Sequence, residues 1–380
     1  MSFIESGRNR TPTGLSKVLY LHWPLILLVC AVAATGFLML YSVAGGSYEP
    51  WARVQMIRFA IGITGMFVIA FIPIQFWRRL APIAYLGTII LLIVVYFAGE
   101  TGGGAQRWIN LGFMQLQPSE VMKVALIMAL AMYYDWLEPE RVSRPLWVLI
   151  PVVLILLPMG LVLIQPDLGT AILLAAGGGV VMFLAGVSLW YFAFVIGSGV
   201  GLIGFVMWAR GTVWQPLKDY QYKRIDTFLD PSLDPLGAGY HITQSKIALG
   251  SGGFGGRGFM QGPQSRLNFL PEKQTDFIFT TFAEEFGFVG SISLLVIYSA
   301  IVVFCIVSAI NNRDRFGALM TGGLGATFFF FFAVNMAMVT GLVPVVGVPL
   351  PLVSYGGTAM LVLLGAFGLI QSAHIHRPRT

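Results

Sequence analysis

Apolar residues along this chain gather into runs of about 20, separated by short segments that hold most of the charge. Ten such runs can be marked, at residues 22–43, 55–74, 83–98, 119–136, 146–165, 168–187, 189–209, 277–310, 316–340 and 358–374. A helix that crosses a bilayer needs roughly 20 mostly apolar residues. The pattern therefore predicts an all-α, polytopic membrane protein of ten transmembrane helices. The third run is short for a span, and the eighth is long enough to tilt or project beyond the bilayer. No internal repeat of fixed period is present.

Lysine and arginine in the short connections set the orientation, because such residues stay on the cytoplasmic side. Arg8, Arg10 and Lys17 precede the first run, Arg78 and Arg79 follow the second, and Arg141 and Arg144 follow the fourth. Arg313 and Arg315 follow the eighth, and Arg377 and Arg379 follow the tenth. With ten spans all five groups fall on one side, which predicts cytoplasmic termini. The periplasmic side then receives residues 99–118, a large loop at 210–276, and residues 341–357. A long loop is usually functional or disordered. This one contains a short amphipathic pattern at Gly239–Leu249, a glycine-rich stretch, and the run Phe269–Asp276.

Composition agrees with the pattern and excludes a soluble fold: 57% of residues are hydrophobic and 11% are charged, against about 25% charged in soluble domains. The whole of 1–380 reads as one membrane-embedded domain, with residues 1–21 as a cytoplasmic tail. The net charge of +6 does not point to nucleic acid, because the basic residues sit at span ends. Cys30 and Cys305 lie inside apolar runs and read as buried hydrophobes. The polar, basic N-terminus leads into a full-length span without a small-residue cleavage site, so the first helix is expected to be retained.

Ionisable side chains at membrane depth are costly and tend to face a cavity or a partner. Glu120 and Lys123 open the fourth run in Gln117-Pro118-Ser119-Glu120-Val121-Met122-Lys123 and, three residues apart, share a helix face. They read either as a local ion pair or as the charged wall of an outward-facing cavity. Asp167, in Gln165-Pro166-Asp167-Leu168-Gly169-Thr170, suits the N-cap of the sixth span and is expected to pair with Lys123 as well. Arg107, between a glycine run and Trp108, is either an interfacial anchor or a guanidinium that grips phosphate.

Asp276 closes the large loop where an apolar helix begins. It is either an N-cap or a general base whose pKa apolar walls raise toward neutrality. Glu284 and Glu285 follow on that helix, where adjacent residues diverge by about 100°, so at most one shares the Asp276 face. Gly250-Ser251-Gly252-Gly253-Phe254-Gly255 has the spacing of a dinucleotide fingerprint, but no strand precedes it, so it reads as a flexible loop. Ser354-Tyr355-Gly356-Gly357 reads as a tight loop lining the same cavity. His22, His241, His374 and His376 form no metal set.

Five segments, in this order, resemble the SEDS family (shape, elongation, division and sporulation). They are Gln117-Pro118-Ser119-Glu120, Gln165-Pro166-Asp167-Leu168-Gly169-Thr170, Leu270-Pro271-Glu272 with Thr275-Asp276-Phe277-Ile278-Phe279, Glu284-Glu285, and Pro351-Leu352-Val353-Ser354-Tyr355-Gly356-Gly357. The resemblance covers essentially the whole chain. Tyr222-Lys223-Arg224-Ile225, Phe228-Leu229-Asp230-Pro231 and Asn268-Phe269-Leu270-Pro271-Glu272 bring it closer to the elongation branch than to the division branch. Gln274 departs from the family, where His is expected before Thr-Asp, and this argues against proton transfer by that side chain.

The resemblance implies a ten-helix fold and a peptidoglycan glycosyltransferase of the bacterial inner membrane. It would polymerise lipid II and release undecaprenyl pyrophosphate. Asp276 is implied as the essential catalytic carboxylate, with Arg107, Glu120, Lys123, Asp167, Lys273, Glu284 and Ser354 as candidate lining of the substrate cavity. The implied partner is a class B penicillin-binding protein that supplies the transpeptidase. A divalent cation, Mg or Mn, is expected only as an addition, with Asp276 its one candidate ligand. Two competing readings are a transporter that flips the lipid-linked precursor and a scaffold that recruits the partner.

Overall fold

The computed structural model describes residues 14–102, 105–110, 112, 115–234, 238–267, 269 and 272–377. Arg8, Arg10, Asn268, Leu270, Pro271, Arg379 and the glycines at 103–104 lie outside the described residues. A 3-10 turn, Gly14–Tyr20, leads into α1 (Trp23–Val43), α2 (Ala52–Phe71) and α3 (Ile74–Ala98). The third helix is not short. It starts at Ile74, earlier than the apolar run, and takes Arg78, Arg79 and Pro82 inside. Arg78 is tolerated there because Asp135, at 3.3 Å, and Asp314 neutralise it.

The next connection is not helical. Strands β1 (Glu100–Gly102), β2 (Ala105–Asn110) and β3 (Gln115–Leu116) form a small antiparallel sheet, with Glu100 opposite Trp108 and Ile109 opposite Leu116. Helix α4 (Pro118–Trp136) opens with proline, whose missing N–H costs nothing in a first turn. Then follow α5 (Pro145–Ile164), α6 (Leu168–Ala185) and α7 (Leu189–Trp208). Helix α7 has no buried residue. The large loop holds α8 (Asp219–Leu229), α9 (Ala238–Ser251) and α10 (Pro263–Arg266). Ile242, Ser245 and Ala248 form the buried face of α9, and the Ser245 hydroxyl donates to the Val339 carbonyl at 2.7 Å.

Helices α11 (Ile278–Ile310), α12 (Arg315–Val339) and α13 (Gly357–Ile375) complete the fold. The long eighth run is explained by a break: Gly287 takes φ 66°, ψ −160° and divides α11. Residues 278–285 before the break are buried in protein, and residues 288–310 after it have the length of one span. Nine helices among the described residues are long and apolar enough to cross a membrane. The tenth long helix, α4, is set apart by Glu120, Lys123 and Asp135.

Small residues let the helices approach closely, as in other membrane bundles. Gly368 of α13 faces the Met66 carbonyl and Ile69 of α2, and Gly177 of α6 faces Thr327 of α12. The glycine-rich stretch after α9 is likewise a contact surface and not a loose loop. Phe288 N–H donates to the Gly253 carbonyl at 2.9 Å, and Arg257 N–H donates to the Glu284 carbonyl at 2.9 Å. A Cβ at Gly252, Gly256 or Gly287 would overlap the facing main chain. The loop thus closes hydrogen bonds that the break in α11 leaves open.

Arg78, Asp135 and Asp314 meet at one end of α4, where Arg315 also donates to the Leu137 carbonyl at 2.8 Å. Gln117, Thr358 and the small sheet meet at the other end, where the chemistry-bearing residues gather.

Candidate active site

The chain leaves the large loop through a tight turn. Glu272, at φ 52°, accepts the Thr275 N–H at 3.1 Å, and its carboxylate accepts the Thr275 hydroxyl at 3.0 Å. Asp276 follows immediately before α11. The cap of α11 is Phe277, with no side-chain cap bond, so Asp276 is not held by a capping role. Its main chain is fixed from two directions. The Asn335 amide donates to the Asp276 carbonyl at 2.9 Å, and the Ser354 hydroxyl donates to the Thr275 carbonyl at 2.6 Å. Ser354 accepts in turn from Leu350 N–H at 2.7 Å, and its carbonyl accepts from the Gln55 amide at 2.9 Å. Ser354 therefore acts as a strut between residues 341–357 and the Asp276 turn.

The Asp276 carboxyl lies beside Gly347, where an added Cβ would stand 3.7 Å from Oδ2. Burial pushes its pKa up to about 6, and the nearby carboxylates of Glu272 and Asp167 add to the effect. Asp167 and Asp276 are thus brought into one electrostatic neighbourhood. Residues 346–348 pass between them: Gly169 faces the Val346 carbonyl at 2.6 Å from its ideal Cβ.

Asp167 caps α6 as predicted, accepting from Thr170 N–H at 3.1 Å and from the Thr170 hydroxyl at 3.0 Å. Its ionic partner is Arg107, at 3.8 Å, and not Lys123. Arg107 is more than an interfacial anchor. Its Nε donates to the Gln165 carbonyl at 3.0 Å and an Nη donates to the Pro166 carbonyl, so the guanidinium clasps the turn before α6. The expected Lys123–Asp167 pair is corrected. Lys123 bonds Glu120 at 2.6 Å within its own helix and lies 3.9 Å from the centre of the Phe331 ring. Both side chains are buried, with the Lys123 and Glu120 side chains 3% and 7% exposed, so they form an enclosed ion pair packed against Phe331 of α12.

Two other expected residues lie apart from Asp276. Glu284 accepts N–H bonds from Gln264 at 2.9 Å and Ser265 at 3.3 Å, which anchors α10 to α11. Lys273 donates to the Ser265 carbonyl at 2.7 Å and lines a separate cavity of 510 Å³, and burial lowers its pKa. Asn335, Gln55 and Arg58 were missed. Arg58 sits 5.1 Å from the Tyr355 ring centre and contacts Gly357. A polar residue inside an apolar run was the signal available for all three. Among the described residues no three His, Cys, Asp or Glu side chains converge as a metal set. A cation beside Asp276 would therefore draw most of its ligands from water or substrate.

The FtsW/RodA/SpoVE model, described as a cell cycle protein, matches residues 22–379. The chain is 42% identical over 358 residues to peptidoglycan glycosyltransferase MrdB of Escherichia coli strain K12, covering 93% of each protein. It is 37% identical over 358 residues to the probable peptidoglycan glycosyltransferase FtsW of Trichlorobacter lovleyi, covering 91% of each. One similar solved structure is described as the structural coordination of polymerization and crosslinking by a peptidoglycan synthase complex. The match has a TM-score of 0.79 and 32% identity, and covers 94% of this chain and 98% of that chain.

Proposed function

The chain belongs to the FtsW/RodA/SpoVE cell cycle protein family, and on that premise we propose that Asp276 is the general base of glycan-strand polymerisation. The protein is a multi-pass membrane protein and a peptidoglycan glycosyltransferase of the MrdB kind. Its substrate is lipid II, and its partner is a class B penicillin-binding protein that crosslinks the product. It resides in the inner membrane with Asp276 toward the periplasm. A reporter fused at Ser232 should be active only in its periplasmic form, and cytoplasmic activity there would overturn that orientation.

The observation that carries the mechanism is the Asp276 carboxyl, half-buried near the carboxylates of Glu272 and Asp167 on a doubly strapped main chain, with its pKa pushed up to about 6. At neutral pH it is mostly ionised yet poorly solvated, the state a base needs. It takes the proton from the 4-hydroxyl of the acceptor sugar, and that oxygen attacks the anomeric carbon of the donor. The configuration inverts, and undecaprenyl pyrophosphate leaves. Arg107 lends positive charge on the Asp167 side of the site, where the leaving group gathers negative charge.

Purified protein given labelled lipid II as its one sugar substrate tests the assignment. Polymer is the expected product. Scrambling of lipid II between leaflets without polymer would make the protein a transporter, and neither outcome would leave it a scaffold.

A further inference from the structure

Helix α7 has no buried residue, and polar ties hold it at both ends. At one end the Tyr191 hydroxyl donates to the Ser143 carbonyl at 3.1 Å, and Ser188 N–H donates to the Ser143 hydroxyl at 3.0 Å. At the other end the chain turns through residues 209–218 into α8. Arg210 donates twice to the Asp226 carboxylate of α8, at 2.8 and 2.7 Å. The Tyr222 hydroxyl, also on α8, donates to the Val206 carbonyl at 2.7 Å. Helix α8 is thus clamped to the end of α7.

The turn between the two helices satisfies much of its main chain from within. Thr212 N–H donates to the Ala209 carbonyl at 3.1 Å, and Gln215 N–H to the Thr212 carbonyl at 3.2 Å. Gly211 N–H donates to Gln215 Oε1 at 2.9 Å, and Trp214 N–H to the Thr212 hydroxyl at 3.3 Å. The Gln215 amide donates in turn to the Leu217 carbonyl at 3.0 Å. Pro216 has no N–H to satisfy. The apolar side chains of the same turn face away from the protein. Val213 is fully exposed and Trp214 is 75% exposed. Trp208, in the last turn of α7, is 71% exposed.

Backbone groups without partners are costly at the edge of hydrocarbon, so a turn closed on itself can enter that boundary where an open loop cannot. Tryptophan is enriched at that level, with an apolar ring and a single polar N–H. The exposed patch also continues a surface that already belongs to lipid. Helix α7 is long and apolar enough to cross the membrane, and Trp208 joins its flank to Val213 and Trp214. We infer that the turn after α7 is a membrane-interface anchor, with Val213 and Trp214 seated in the headgroup–acyl boundary of the adjoining lipid leaflet. Through the Arg210–Asp226 clasp the anchor holds α8, and with it the start of the large loop, at a fixed height against the bilayer.

Spin labelling of the full-length protein tests this in vesicles of phosphatidylethanolamine and phosphatidylglycerol. The label sits at Val213→Cys, after Cys30→Ala and Cys305→Ala remove the native thiols. Its collisions with oxygen, which concentrates in lipid, should exceed those with a water-soluble nickel chelate by at least threefold. The exposed Ser232→Cys should show the reverse preference. A nickel preference at Val213→Cys would place the turn in water and overturn the anchor. Exclusion of both reagents would also overturn it, because a partner helix or a second copy would then cover the patch. If the cysteine variants do not fold, native fluorescence decides through Trp214→Phe. The emission lost in that variant should be quenched at least twofold more by lipid brominated near its headgroup than by aqueous acrylamide. Equal or reversed quenching would overturn the anchor.

Discussion

The side-chain amide of Asn335 donates to the Asp276 carbonyl at 2.9 Å and to the Val348 carbonyl at 2.7 Å. One buried group on α12 thus ties the turn that carries Asp276 to the loop that passes beside it. Its two donors meet two carbonyls, so the direction of the amide is settled by its partners.

Asn335→Ala should lower kcat of polymerisation by tenfold or more while KM for lipid II changes little. Small misplacement of a reacting group has effects of this size. The two released carbonyls should also cost about 1–3 kcal/mol each if they stay buried. Steady-state kinetics on purified protein check the split. An equal rise in KM would mean that Asn335 serves substrate binding instead.

Asp276→Asn and Asp276→Ala should both reduce polymerisation by at least 100-fold, within the usual value of a general base, about 10²–10⁴. Expression and partner binding should persist. In wild type the rate should rise with pH through about 6 and level off above it, because the ionised form is active. Asp167→Asn removes one of the charges that raise this pKa, so the rising limb should move to lower pH. A rate profile flat from pH 5 to pH 8 would remove Asp276 from proton transfer.

Stability should show the opposite sign. The folded-state pKa of Asp276 lies above its unfolded value, so folding favours the protonated form. Its stabilising contribution is full below about pH 4 and lost as pH rises through about 6. Asp276→Asn should therefore melt like wild type at pH 4 and higher than wild type at pH 7. The upper limit is about 3 kcal/mol, from a shift of about two units at 1.36 kcal/mol each. Melting temperatures across that pH range measure it, and a lower value for the variant at pH 7 would refute it.

Lys123→Met alone should destabilise the fold by about 3–5 kcal/mol, since it strands the buried Glu120 carboxylate. Lys123→Met with Glu120→Leu should recover most of that loss. Lys123→Met with Asp167→Asn should not, because Asp167 is engaged by Arg107 and Thr170. Denaturant midpoints for the three variants distinguish the pairings.

The positions of the spans were legible because apolar runs of bilayer length leave few other readings. Asp276 stands out in the sequence by its place at the foot of such a run. The partner of Lys123 was not, since an i, i+3 neighbour competes with any residue across the bundle, and only packing decides between them. Gly287 looks like any other glycine in an apolar segment, and the facing Gly252 and Gly256 lie more than 30 residues earlier. Asn335 was hidden inside a phenylalanine-rich run, where its value depends on two carbonyls brought by other loops. The small sheet at 100–116 was missed because its strands are too short to show an alternation.

Helix α4 also bears on how the molecule is made. Glu120, Lys123 and Asp135 make it a poor candidate to leave the translocon for lipid unaided, since such residues cost about 2.5–3.5 kcal/mol each at mid-membrane and less near the ends. It packs along α3, the helix synthesised just before it and joined to it by the small sheet, and α3 is apolar enough to go in first. The two therefore enter as a hairpin, with Glu120 and Lys123 already cancelling each other. The polypeptide lays down the Glu120–Lys123 pair long before the ribosome has translated Asp276.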